Sequence, residues 1–155
     1  MNTETVEQMA KELMSKHNLN DWRLKWNDSK RMFGYCSYTH HAIYLSKLLT
    51  ELNEEREIID VILHEIAHAL APITEHHGKV WKNIARDIGC NATRCYGKEV
   101  IEPKKPYTVS CKYGHTFQSD RKPRHRRILA CHICCNKFNH GKFAKKYKLR
   151  YKKNI

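Results

Sequence analysis

Two histidines four residues apart, His64 and His68, place strict demands on how this chain folds. In an α-helix this spacing puts both imidazoles on one face, one turn apart, so that they can bind the same metal ion. Glu65, which follows the first histidine, can then activate a water molecule at that ion. The HExxH motif therefore predicts a helix that carries a catalytic metal site.

The residues around the motif predict a helix from about residue 54 to residue 70. Asn53 is a suitable N-cap, the glutamates after it suit the positive end of the helix dipole, and Pro72 disfavours helical geometry at Ala71. At about 100° per residue the histidines lie opposite an apolar face, so we expect them to face a cleft. The apolar face consists of Ile59, Ile62, Leu63, Ile66, Ala67 and Leu70.

A catalytic zinc ion usually takes three protein ligands and leaves a fourth position for water. After the predicted helix, His76, His77 and Asp87 are the candidates for the third ligand, and spacing alone leaves all three open. The longer HExxHxxGxxH pattern is excluded, because Ala71 and Thr74 occupy the positions of its glycine and its last histidine.

The periodicity of apolar residues predicts the other elements of the first hundred residues. Residues 4–17 and 80–88 repeat apolar side chains at helical spacing. Residues 21–28 alternate apolar and charged side chains as a half-buried strand does, and residues 34–38 and 42–45 are typical of a second strand or a hairpin. This part of the chain is therefore expected to be an α+β core.

Charge is distributed very unevenly along the chain. Residues 1–97 carry 12 Lys and Arg against 13 Asp and Glu, whereas residues 98–155 carry 17 against 3. Such a basic block is typical of a chain that binds a polyanion, most often nucleic acid, and a solvated basic tail is the alternative. The densest cluster can contact phosphates without reading base sequence. It consists of Arg121, Lys122, Arg124, Arg126 and Arg127.

The seven cysteines are an odd number and favour metal binding over a set of disulfides. Cys131 and Cys134 have the spacing of one ligand pair, and Cys111 and His115 form another. Four such ligands close a structural zinc site, which a segment this small needs in order to fold. The first pair is CxxxH rather than CxxC, so other nearby residues stay open as substitutes. These are His125, His132, Cys135 and His140.

Glycines and prolines between residues 89 and 106 indicate a linker, with a boundary near residue 100. We expect a core over residues 1–100, a zinc-ribbon-like module over 101–140 and a basic tail over 141–155. If the tail is helical, its aromatic residues form a stripe that either stacks on unpaired bases or packs on the domain. These residues are Phe143, Tyr147 and Tyr151.

The cellular compartment is constrained by two further patterns. No stretch reaches the roughly 18 apolar residues of a membrane span, and the first residues lack the basic-then-apolar pattern of a signal peptide. Reduced or zinc-bound thiols suit the cytosol, nucleoid or nucleus. We expect a soluble intracellular protein without a membrane partner, encoded by a cell or by a virus within one.

The run HEIAHAL followed by HGKVWKNIA resembles the metalloprotease core of the SprT-like family, which includes the Spartan proteases that degrade proteins crosslinked to DNA. In that family the third zinc ligand is the histidine of an HG-x-x-aromatic segment, which implies His77, with Gly78 and Trp81 matching. The family also has a C-terminal zinc ribbon, and the resemblance covers roughly residues 20–140. It implies a zincin-like α+β fold, in which a small sheet and the HExxH helix are followed by a small ribbon.

The resemblance implies a zinc metalloprotease that DNA recruits to protein substrates bound or crosslinked to it. The basic cluster predicts DNA binding without sequence preference, and the aromatic residues of the tail leave single-stranded DNA open as the partner. A DNA-binding zinc protein with an inactive or structural HExxH site is one alternative, and a peptidase acting on free peptides is another. An accidental HExxH among eleven histidines is a third. The implied catalytic zinc ligands are His64, His68 and His77 with Glu65 as general base, and the expected structural zinc ligands are Cys111, His115, Cys131 and Cys134.

Overall fold

The computed structural model describes residues 1–93, 100–124 and 127–154 of the chain. It divides into two compact units, Met1–Pro103 and Lys104–Ile155. The predicted boundary near residue 100 lies close to this division. Residues 141–155, which the sequence predicts as a separate tail, belong to the second unit, because their strand pairs with its sheet.

The first unit contains every helix and strand predicted for it, together with one short helix that the sequence does not predict, α2. The three strands form a sheet in the order β1-β3-β2, in which β1 runs parallel and β2 antiparallel to the central β3. The elements are α1 (Thr3–Lys16), β1 (Arg23–Asn27), β2 (Gly34–Ser37), β3 (Ala42–Ser46), α2 (Lys47–Leu52), α3 (Glu55–Leu70) and α4 (Lys79–Asp87).

The core of the first unit forms where α1 and α3 pack on the sheet. Ile43 and Leu45 are fully buried, because alternate residues of the central strand project to the same face. The middle of α3 is buried on nearly all sides: Val61 is 1% exposed, whereas Leu70 of the predicted apolar face is 39% exposed. The HExxH helix is therefore a central element of the unit.

Asn53 is not the N-cap of α3, contrary to the sequence prediction. Glu54 occupies that position, without a capping hydrogen bond from its side chain. Asn53 is buried, and its amide pairs with backbone groups instead: Nδ2 donates to the carbonyls of Leu49 and Ile101, and Oδ1 accepts from the Ile101 N–H. This side chain fastens the end of the first unit beside the start of α3.

The second unit is a three-stranded antiparallel sheet with a short helix. Its strands β4 (Tyr107–Ser110), β5 (Thr116–Ser119) and β6 (Arg150–Lys153) lie in the order β5-β4-β6, and α5 spans His132–Asn139. The predicted aromatic stripe does not form, because a 3-10 helix and a strand replace the helix. Tyr147 is buried, while Phe143 is 60% exposed.

Among the described residues of the second unit, the buried cluster consists of four cysteines packed with Tyr147. Such a core removes little apolar surface from water.

Throughout the described ranges, no helix combines the length and the apolar character required to cross a membrane.

Candidate metal centres

Two turns of α3 and the segment after it bring three imidazoles together. His64 and His68 lie one turn apart on the helix, and the chain turns back through residues 71–78 to present His77. The Nε2 atom of His77 lies 3.1 Å from Nε2 of His64 and 3.0 Å from Nε2 of His68. Three nitrogen donors therefore converge on one point.

This donor set fits a zinc ion. Zinc binds imidazole nitrogen at about 2.0–2.1 Å, and tetrahedral geometry separates two such nitrogens by about 3.3 Å. The three donor atoms lie within 4.8 Å of one another. Only His77 of the three third-ligand candidates joins the cluster: His76 is exposed, and Asp87 is exposed at the far end of α4.

Burial keeps His64 and His68 in the neutral form that binds metal, because it lowers the pKa of both imidazoles. Burial, reinforced by the neighbouring imidazoles, lowers the pKa of His64 to about 3. Burial, together with His77 and His76, lowers the pKa of His68 to about 4. Neither ring has to lose a proton before it binds an ion at neutral pH.

The metal-free protein is expected to lose stability as the pH falls from about 6.5 toward the pKa values of His68 and His64. The unfolded chain takes up protons near the ordinary histidine pKa, whereas the folded state resists them. A lowered folded-state pKa contributes stability that is complete above the unfolded pKa and is lost as the pH falls through this window. Urea unfolding of metal-free protein at a series of pH values measures the loss.

The His68→Gln variant provides the comparison for that measurement. Because glutamine does not titrate, the variant should show a shallower dependence of unfolding free energy on pH than the native chain. An equal slope in both proteins would contradict the assignment of the effect to His68.

Trp81 contacts all three histidine rings. Its ring centroid lies 4.7 Å from that of His64, 5.2 Å from that of His68 and 4.6 Å from that of His77. The side chain is fully buried. Because rings packed on several sides have few open rotamers, Trp81 restricts the directions in which the donors can point.

Glu65 lies beside the triad with only 3% of its surface exposed. It is held close to β2: a Cβ added to Gly34 would lie 3.1 Å from Glu65 Cγ and equally close to the Tyr44 carbonyl. A side chain at position 34 would therefore crowd Glu65, which would have to shift by a few tenths of an ångström. The absence of a side chain there leaves room for Glu65 between helix and sheet.

The triad and Glu65 face a cavity of about 850 Å³ within the first unit. Its walls are mixed, since Met32, Tyr35 and Ile73 line it together with Arg31 and His76. A cavity of this size accommodates several residues of an extended peptide.

A second donor cluster lies in the other unit. The Nδ1 atom of His115 is 3.4 Å from Sγ of Cys111, 3.5 Å from Sγ of Cys131 and 3.3 Å from Sγ of Cys134. The sulfurs of Cys111 and Cys134 are 3.8 Å apart, which equals about the spacing of two thiolates bound at 2.3 Å in a tetrahedral zinc site. The donor chemistry and spacing fit structural zinc.

The residues that the sequence leaves open as substitute ligands do not join this cluster where the structure describes them. Among the residues that the structure describes, the metal-compatible group contains His115 and three cysteines but neither His132, Cys135 nor His140. His125 lies outside the described residues. All six described cysteines are free thiols without a disulfide.

The predicted phosphate-binding residues are exposed in the second unit. This holds for Arg121, Lys122, Arg124 and Arg127, whereas Arg126 lies outside the described residues. Several of them border a groove of about 580 Å³. Further cations and one aromatic ring, from the start of β6 and the two residues before it, complete the groove. Its lining includes Lys122, Arg124, Arg127, Lys148, Arg150 and Tyr151.

Comparison with known proteins places this geometry in a family. The model of the SprT-like family matches residues 3–102, which include the whole histidine triad and Glu65. This chain belongs to the SprT-like family. The match ends within one residue of the first compact unit, so the SprT-like part of the chain is that unit.

A solved structure is also similar to the SprT-like chain. The metallopeptidase zymogen jannalysin of Methanocaldococcus jannaschii matches at 23% identity with a TM-score of 0.46, over 53% of this chain and 79% of that one. No curated protein sequence matches the chain.

Two residues of the SprT-like cavity, Cys36 and Tyr38, are not among the predicted site residues. The Tyr38 hydroxyl donates to the backbone carbonyl of His68 at 2.6 Å, which fixes the end of α3. Burial, together with the Glu65 charge, raises the pKa of the Cys36 thiol to about 12, so it stays protonated at neutral pH. No catalytic or metal-binding motif marks either residue: Cys36 lies in β2 and Tyr38 directly follows it, and the pairing of β2 with β3 brings both to the cavity.

Proposed function

We propose that this protein is a zinc metalloprotease that is recruited to DNA and cleaves proteins bound or crosslinked to it. The observation that carries the proposal is the convergence of His64, His68 and His77 beside the buried Glu65, in an open cavity. Membership of the SprT-like family supports a metalloprotease.

The three histidines would hold the zinc ion through their Nε2 atoms. Bound zinc supplies a Lewis acid that polarises the scissile carbonyl and makes water more acidic. Glu65 accepts the proton of the attacking water and returns it to the leaving amine. Gly34 leaves the room that keeps Glu65 beside the triad, and Tyr38 holds the last turn of α3 in register.

A second zinc ion would be structural and would be held by the cluster of His115 and three cysteines. A site closed by four protein ligands leaves no position for water. Its contribution is to the fold, because the other buried groups in the described part of this unit are few. The folded unit in turn presents the cations that contact DNA.

The proposed DNA-binding surface combines charge with exposed aromatic rings. Tyr113 and Phe138 are 49% and 50% exposed, and their ring centroids are 6.0 Å apart. Lys112 and Lys137 lie over these rings at 5.0 and 5.3 Å. Unpaired bases stack on exposed aromatic rings, while lysines contact the neighbouring phosphates. This arrangement favours single-stranded DNA.

Cleavage of a basic DNA-binding protein by the purified chain, with and without single-stranded DNA, tests the proposal. Cleavage that requires DNA supports recruitment. Equal cleavage of free peptides with and without DNA would make the chain an ordinary peptidase. Binding to DNA without cleavage under any condition would leave a DNA-binding zinc protein with an inactive HExxH site.

Neutral substitution of the four described cations at positions 121, 122, 124 and 127 is expected to weaken DNA binding. The slope of log affinity against log salt should fall by about 0.7 for each phosphate of single-stranded DNA that the variant no longer neutralises. Binding titrations at several salt concentrations measure the slope. Four exposed lysines of the first unit, neutralised together, provide the control. They are Lys16, Lys30, Lys47 and Lys82.

An unchanged salt slope in the second-unit variant would remove this cluster from the DNA-binding surface. An equal fall of the slope in both variants would show that only total charge matters.

A further inference from the structure

Glu75 lies two residues before His77, in the segment that connects α3 to α4. Its backbone holds two successive turns: the Glu75 N–H donates to the Pro72 carbonyl at 2.9 Å, and its carbonyl accepts from the Gly78 N–H at 2.8 Å. The second of these turns encloses His76 and His77. The position of the third imidazole therefore depends on how firmly this turn is held.

The Glu75 side chain caps the N-terminus of α4, because the N-cap residue itself has no side chain that could do so. Gly78 is the N-cap residue of α4 and has no side chain to satisfy the first N–H groups. The Glu75 carboxylate reaches across the turn, and its Oε1 accepts from the Val80 N–H at 2.8 Å. A negative charge at the helix N-terminus is also favourable toward the helix dipole.

The close approach of Glu75 explains why glycine stands at position 78. A Cβ at Gly78 would lie 2.3 Å from Glu75 Oε1 and 2.9 Å from the Glu75 carbonyl oxygen. His76, between them, adopts a left-handed conformation with φ of 48°, which is strained for a residue with a side chain. Such a turn persists only if other contacts hold it, and the Glu75 contacts do so at both of its ends.

We propose that Glu75 is a positioning residue that holds the His77 imidazole against His64 and His68, so that the metal-binding triad exists before an ion arrives. This inference rests on the proposed metal site and names the residue that sets its affinity. A donor that is already in place does not have to be ordered on binding, and this raises affinity for a divalent cation.

The test measures Co²⁺ binding to the full chain in competition with a chelator, by absorption in the near-ultraviolet and the visible range. Cobalt bound by imidazoles alone lacks the thiolate charge-transfer band of the cysteine cluster, so the two sites are read separately. Glu75→Ala is expected to weaken Co²⁺ binding at the triad by about tenfold or more. Glu75→Gln keeps the acceptor oxygen and should stay within about threefold of the native chain.

Two further variants distinguish the reach of the Glu75 carboxylate from its charge and from a general effect of losing an acidic residue. Glu75→Asp keeps the charge but is too short to reach the Val80 N–H, and it should weaken binding as Glu75→Ala does. Glu55→Ala removes an acidic residue from the N-terminus of α3 and should leave Co²⁺ affinity unchanged.

The outcomes distinguish this inference from the proposed function. If the native triad does not bind Co²⁺, the proposed metalloprotease fails. If the native triad binds but Glu75→Ala and Glu75→Asp bind as tightly, the positioning role is overturned. It is equally overturned if Glu75→Gln loses as much affinity as Glu75→Ala, because the carboxylate charge alone would then account for the loss.

Discussion

Glu65→Gln is expected to lower the rate of protein cleavage by on the order of a thousandfold, while zinc content and DNA binding stay at the level of the native chain. Glutamine fills the same buried space beside Gly34 but cannot accept the proton of the attacking water. Cleavage of a DNA-bound basic protein, assayed with zinc content measured on the same preparation, gives the result.

Glu57→Gln is the matched control for this experiment. It makes the same chemical change on the same helix, two turns before Glu65 and away from the triad, and it should leave the rate unchanged. Full activity of Glu65→Gln would remove the general base from the proposed mechanism. A fall in zinc content in that variant would point to a ligand role for Glu65 instead.

Cys131→Ser is expected to unfold the second unit and, on the proposed function, to abolish DNA binding. Apart from the proposed zinc ligands, the described part of this unit buries little more than Val109, Cys135 and Tyr147. Structural zinc sites of this kind contribute roughly 10–16 kcal/mol to folding. Susceptibility of residues 104–155 to limited proteolysis, together with the number of zinc ions per chain, measures the effect.

Cys135→Ser is the control for the cysteine variant. Cys135 is 5% exposed and adjacent in sequence to Cys134, but it stands outside the donor cluster. Its substitution should leave the proteolysis pattern and the zinc content unchanged. Equal sensitivity of both variants would indicate that packing, rather than metal binding, holds the unit together.

Local patterns predicted the first unit well because its elements are strongly periodic. The bounds of α3 follow from the apolar repeat before Leu70 and from Pro72, and both signals lie within the helix or next to it. Asn53 was misassigned because its partner, Ile101, lies 48 residues away in the sequence. A contact of that kind depends on how the finished unit packs, which no local window contains.

The choice of the third metal ligand shows the same limit of local sequence patterns. Spacing could not separate His76, His77 and Asp87, since each lies at a reasonable distance after the motif. In the structure Asp87 is the last residue of the nine-residue helix α4. It lies about 12 Å along the helix axis from the end that follows His77. His76 has a left-handed backbone and an exposed side chain. The resemblance to the SprT-like family implied His77, and the physical reason is the path of the turn in which the Glu75 backbone accepts from Gly78.

The two donor clusters belong to separate units and differ in softness: three imidazole nitrogens in one, and three cysteine sulfurs with one imidazole in the other. Four protein ligands would close the shell of a zinc ion in the cysteine cluster, whereas three histidines would leave one position open to solvent and exchange. Under mild chelation the triad would therefore empty first. On the proposed function, a cell short of zinc would hold an enzyme that still finds its DNA but no longer cuts.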